Sequence, residues 1–150
     1  MSRTTSAARS AARLAAVQAL YQFEMEATAM NGLLDEFHQH RLGREIEDDQ
    51  YIDADVVFFD DVVRGTAARR DEIDALLSAN LAAGWSIARL DRTMLQILRA
   101  GAYELLARKD ISVGTVISEY LDVAHAFFDA RETKFVNGLL DAVARDVRKP

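Results

Sequence analysis

Two places in this chain set cations where they could meet a phosphate. Arg9 and Arg13 stand four residues apart, a spacing that on a helix stacks them one turn apart, with both guanidiniums able to reach a nucleic-acid backbone. Near the other end Lys134 is followed by Phe135. That pairs a cation with an aromatic ring, the combination that holds single-stranded RNA by phosphate neutralisation and base stacking. Each has a plainer reading beside it: arginines on a helix are commonly solvated charges, and Phe135 also fits the edge of a core stripe.

Other chemistry is poorly provided for. His38 and His40 are two residues apart, which on a helix points them about 200° apart, and His125 is remote, so no metal site is expected. With no cysteine there is no disulfide, no thiolate nucleophile and no Cys-based zinc or iron–sulfur site. The seven glycines are scattered and form no phosphate-cradling loop. Carboxylates are plentiful, but general acid–base catalysis needs a pair held in a cleft, and the acidic stretch reads as a loop. No catalytic residue, metal or cofactor is expected, and the chain does not read as an enzyme.

At 150 residues the chain has the length of a single domain with one core. A net charge of −6 is unusual for a nucleic-acid binder, but its distribution matters more than its sum. Arg3, Arg9 and Arg13 precede the first acid, Glu24, whereas ten acids against Arg41 and Arg44 lie between Asp35 and Asp61. A basic arm is followed by an acidic belt. No stretch approaches the roughly 18 apolar residues of a membrane span and none resembles a secretory signal, so no membrane partner and a cytoplasmic location are expected.

Helices must position these residues. The only proline is Pro150, and alanine, leucine and arginine, all helix formers, dominate. Helical spacing of Leu14, Val17 and Tyr21, with Leu20 beside them, predicts a first helix over about Ser6 to Glu26, capped by Thr5 or Ser6. A short second helix over Asn31 to about Leu42 leads to a polar acidic loop from Gly43 to Asp53. Asp53 is placed to cap a third helix, with Val56, Phe59, Val63 and Ala67 on one face. Ile73, Leu76, Leu77 and Leu81 continue the pattern at a shifted phase, which predicts a kink near Gly65 to Arg70.

Ala82-Ala83-Gly84-Trp85 breaks the pattern, and Ser86 or Asp91 can start a fourth helix. Its stripe of Leu90, Met94, Ile97, Leu98, Gly101 and Leu105, widened by Leu95, Ala102 and Leu106, predicts the most buried helix. The fifth runs from Val113 through Val116, Ile117, Tyr120, Leu121 and Ala124 to Phe127 and Phe128, with His125 at the margin of its stripe. After Asp129-Ala130-Arg131 the sixth carries Phe135, Val136, Leu139, Leu140, Val143 and Val147 inward. Gly138 inside it costs roughly 1 kcal/mol relative to alanine, which predicts close approach of another helix, and Asn137 beside it is expected to bond a neighbouring backbone. The fold class is all-α.

Four motifs, in order, resemble the NusB family. They are Arg9 and Arg13 leading into Val17-Gln18-Ala19-Leu20-Tyr21; Leu95-Gln96-Ile97-Leu98-Arg99 with Tyr103-Glu104-Leu105-Leu106; Val116-Ile117-Ser118-Glu119 with Val123-Ala124-His125-Ala126-Phe127; and Lys134-Phe135-Val136-Asn137-Gly138-Leu139-Leu140-Asp141. The chain departs from the family in having Arg9-Ser10-Ala11-Ala12-Arg13 in place of several adjacent arginines. Ser112 stands where proline is common, and Ser118 where asparagine is common.

The resemblance implies a NusB-like helical bundle, two three-helix bundles packed as one domain over 1–150. It implies an antitermination factor that binds the boxA element of nascent ribosomal RNA together with NusE, a small-subunit ribosomal protein, in a complex with other Nus factors and RNA polymerase. Arg9, Arg13, Tyr21, Lys134 and Phe135 are the RNA-binding residues it suggests, with Arg9, Arg13, Lys134 and Phe135 expected on one edge. A basic ribosomal protein also suits an acidic chain whose own RNA-binding patch is small. The alternatives are a protein-interaction module without RNA binding and a homodimer that covers the RNA surface.

Overall fold

The structure, a computed structural model, describes residues 2–42 and 53–148, with side chains left out at 2–5, 41 and 53–55. The acidic loop expected from Gly43 and the cap expected from the Asp53 side chain lie outside the described residues. Those residues form seven α-helices and no strand, so the all-α class holds. The chain divides into two compact units, residues 1–67 and 68–150.

The N-terminal unit begins with α1 (Ser2–Glu26). It starts four residues earlier than expected, because Ser, Thr, Arg and Ala continue the helix with no glycine or proline to stop it. Ser6 therefore lies inside α1, where its carbonyl accepts the Ser10 hydroxyl at 3.1 Å. The helix ends where Ala27 takes a positive φ of 55°, the left-handed turn commonly found just past a helix end. α2 (Met30–Phe37) follows and widens into a π-turn at His38–Leu42, and α3 spans Asp53–Ala68.

Alanines 8, 12, 15, 16 and 19, with Val17 and Leu20, make the buried face of α1. Such small side chains let α2 and the π-turn pack against it. Phe37 stacks on Phe59 with ring centroids 5.6 Å apart, and His38 bonds Asp60 at 2.7 Å. On α3 the buried face holds Phe58, Phe59, Val62 and Val63. That face is broader than the expected row, in which Val56 is only half-buried. The predicted kink appears as a break at Arg69, after which α4 (Arg70–Asn80) starts.

In the C-terminal unit, Ser86 precedes a short 3-10 turn at Ile87–Arg89, and Asp91 caps α5 (Arg92–Ala107) by accepting from the amides of Thr93 and Met94. α5 packs with α6 (Val113–His125) and α7 (Ala130–Val147), and α4 lies against α5 and α7. Every residue of α5 from Met94 to Leu105 is buried, as its wide stripe predicted. The burial includes Arg99, which donates to both carboxylate oxygens of Asp74 at 2.8 and 2.9 Å. Close helix approach occurs at Gly101, where an added Cβ would come within 3.1 Å of the Leu140 methyls.

Two helix starts answer questions raised by the sequence. Ser112, in place of the family's proline, caps α6 by accepting from the Thr115 amide at 3.1 Å. α6 ends at His125, short of the expected Phe127 and Phe128. The amides of Ala126, Phe127 and Phe128 fold back onto the carbonyls of Val123 and Ala124, so that Asp129 can open α7 with a reciprocal capping box to Glu132. Phe127 is thereby left 45% exposed. At the far end of α7, Arg148 donates to the carbonyls of Leu105 at 2.6 Å and of Arg108 and Ile111 at 3.0 Å, satisfying acceptors where α5 runs out.

Candidate nucleic-acid interface

In the N-terminal unit the two arginines share one ring. Their Cζ atoms lie 4.7 Å (Arg9) and 4.8 Å (Arg13) from the centroid of Phe58, inside the range of cation–π attraction. Arg13 is only 3% exposed, so its guanidinium faces the ring rather than solvent. Arg9 is half-buried, and its Nε is enclosed with no hydrogen-bond partner among the described residues. Further along α1, Tyr21 is 39% exposed. Phe58 went unnoticed in the sequence because it reads as one more apolar residue of α3; the i, i+4 arginines were the signal that some acceptor face had to exist.

In the C-terminal unit the first turns of α7 present Lys134 to solvent and leave Phe135 half-buried. Phe135 meets Trp85, with ring centroids 6.0 Å apart and planes inclined at 37°. The two rings, with Leu90 and Met94, line a cavity of about 400 Å³ that Arg89 and Arg131 also border. Two carboxylates reach its wall, those of Asp91 and Glu132, and both accept backbone amides at helix starts. The Lys134 side chain makes no hydrogen bond or ion pair with other described residues, the Glu132 amide and, to a lesser degree, the Arg131 charge hold the Asp129 carboxyl low, and Arg89 donates to the Gly84 carbonyl at 3.1 Å.

Trp85 is the other residue that sequence reasoning missed. In sequence it belongs to a helix break, yet it is the chain's single tryptophan and is 54% exposed. Asn137 and Gly138 are corrected in the opposite direction. Both are exposed, the Asn137 side chain has no hydrogen bond among the described residues, and a Cβ at Gly138 would meet nothing within 4 Å. Of the segment 136–138, only Val136 is buried.

Among the described residues no group of three or more His, Cys, Asp or Glu could hold a metal ion, and no helix is long and apolar enough to cross a membrane. Among the described residues, helices that carry a guanidinium–aromatic cluster in one unit and a cation-flanked aromatic cavity in the other define an all-helical protein with two candidate binding features. A family model described as the NusB family matches residues 10–145, and the chain belongs to the NusB family of transcription antitermination factors, which are not enzymes.

The chain is similar to relatives named transcription antitermination protein NusB. The one from Novosphingobium aromaticivorans is 74% identical, covering 99% of this chain and all of its own. That from Sphingopyxis alaskensis is 68% identical over 94% of this chain and 95% of its own. Among solved structures, NusB of T. maritima superposes with a TM-score of 0.78 at 31% identity, covering 92% of this chain and 91% of that one. A structure of antitermination factors NusB and NusE in complex with dsRNA matches with a TM-score of 0.77 at 27% identity, over 93% of this chain and 97% of that one.

Proposed function

We propose that this protein binds boxA RNA of nascent ribosomal transcripts together with NusE, and so keeps RNA polymerase from terminating early. It would act in the cytoplasm, within a complex of other Nus factors. The observation that carries this reading is the start of α7, where an exposed Lys134 adjoins a Phe135–Trp85 ring pair bordered by Arg131. Cations beside open aromatic faces suit a single strand, whose phosphates need neutralising and whose bases need a stacking partner. Further support, for RNA and NusE as partners, comes from the solved structure of NusB and NusE in complex with dsRNA, to which this chain is similar in fold. The net charge of −6 suits a basic ribosomal protein as the second partner.

Under this reading Lys134 and Arg9 contact phosphate, Phe135 and Tyr21 offer rings to bases, and Arg13 holds Phe58 and so sets the position of Arg9. The test is a salt titration of boxA binding, with NusE present, for the parent and for R9A/K134A. Loss of two phosphate contacts is expected to lower the slope of log K against log salt by about 1.4, from roughly 0.7 per single-strand contact. An unchanged affinity and slope would remove these residues from the interface. A chain that bound NusE and ignored RNA would be a protein-interaction module instead.

A further inference from the structure

We infer that the cavity between the 3-10 turn and the start of α7 receives one unstacked RNA base, with Trp85 as the wall against which that base stacks. The inference rests on the RNA-binding reading above and adds to it a defined base site and a residue that makes it.

The lining is mainly carbon. Trp85 and Phe135 form two walls inclined at 37°, and Leu90 and Met94 add further apolar surface. A volume of about 400 Å³ lies at the small end of pockets that enclose organic ligands, and a single base is a ligand of that kind. Polar groups at the wall discriminate between occupants. Asp91 and Glu132 also line the cavity, and one oxygen of each carboxylate accepts amide N–H groups at the starts of α5 and α7. Cations stand at its edge: Arg131 borders the cavity, and exposed Lys134 is next in sequence to the Phe135 wall.

An apolar slot edged by positive charge matches a nucleotide, whose base is a flat π-face and whose two flanking phosphates are anions. An apolar peptide side chain would fill the slot but leave the cations unmatched. Trp85 itself argues for an occupant. It stays 54% exposed although its ring already meets that of Phe135, and tryptophan, a large apolar body with one N–H donor, is enriched at interfaces. The neighbouring α7 surface at Asn137 and Gly138 is open, which leaves room for the strand to pass.

The chain's single tryptophan makes the site directly observable, because its fluorescence reports on this position alone. The protein is titrated with a boxA oligonucleotide and with a series in which one nucleotide at a time is made abasic, and affinities for the labelled series are also measured with NusE present. One abasic position is expected to weaken binding by roughly 5- to 150-fold, the range of base–aromatic stacking, and to abolish the tryptophan quench. In W85A that same position should no longer matter, so the two losses fail to add. W85F should restore the coupling because it keeps a ring. In R9A every abasic loss should persist at full size.

If RNA binds the parent tightly but the W85A and abasic losses add at every position, or bound RNA leaves the fluorescence unchanged, the base site is wrong while the RNA-binding function stands. If no RNA binds the parent even with NusE, the function fails and the base site with it.

Discussion

Both units pair cations with aromatic rings, and they use the pairing in opposite ways. In the N-terminal unit Arg9 and Arg13 lie over Phe58, which is itself buried, so that ring attracts the guanidiniums inward. In the C-terminal unit the rings of Trp85 and Phe135 border a cavity, and Lys134 and Arg131 are exposed around it. Cations and aromatic rings thus serve chiefly packing in one place and border an open cavity in the other. What separates the two is whether the aromatic face is already covered. A count of arginines in the sequence measures neither.

The sharpest way to break this contrast is to remove the covered ring. F58A deletes a fully buried phenylalanine and strips both arginines of their platform, and is expected to destabilise the protein by about 3–5 kcal/mol in urea unfolding. W85A, at an exposed position, should stay within about 0.5 kcal/mol of the parent. An F58A variant as stable as W85A would mean that the guanidinium–aromatic cluster is not a packing device, and the distinction between the units would collapse.

The asymmetry also explains how far the sequence could be read. The stripe of α5 was legible because Leu90, Met94, Ile97, Leu98, Gly101 and Leu105 repeat at helical spacing and are all buried. Periodicity over-reached at Phe127 and Phe128, since an apolar residue keeps the pattern going while the capping box of Asp129 demands a turn. It could not register the π-turn at His38–Leu42, whose spacing differs from that of an α-helix. At the candidate site Arg9, Arg13, Lys134 and Phe135 were legible by charge and motif. Phe58 and Trp85 were not, because exposure alone distinguishes a core ring from a docking ring. Gly138 was misjudged for the same reason: the helix approach it suggested occurs at Gly101, against Leu140.

Gly138 supplies a second, smaller test. A Cβ there meets nothing within 4 Å, so G138A should stabilise α7 by about 1 kcal/mol through helix propensity. If the open face exists for the RNA strand to pass closely, the same variant should bind boxA RNA more weakly while melting at a higher temperature. A gain in stability with unchanged RNA affinity would confine the receptive surface to the cavity and Lys134.

The mildest perturbation acts on the helix start that carries the C-terminal site. Asp129 accepts the Glu132 amide at 3.1 Å, and its own amide donates to the Glu132 carboxylate at 3.1 Å. Chiefly through that accepted Glu132 amide, its carboxyl is held below its ordinary value of 3.8. A depressed folded value means that the ionised cap stabilises the fold above the ordinary value, and that this contribution disappears as pH falls through the lower folded one. D129A should therefore melt below the parent at neutral pH, with the difference closing only under strongly acidic conditions. Arg131, Lys134 and Phe135 all sit within the first two turns of α7, so fraying at Asp129 should also loosen the cavity wall. RNA affinity of D129A at neutral pH is expected to fall slightly, and the dependence on the abasic position to weaken. Should melting differences persist unchanged into strong acid, the carboxylate's charge is not what holds α7 at its start, and the site's geometry must be kept by the packing of Phe135 instead.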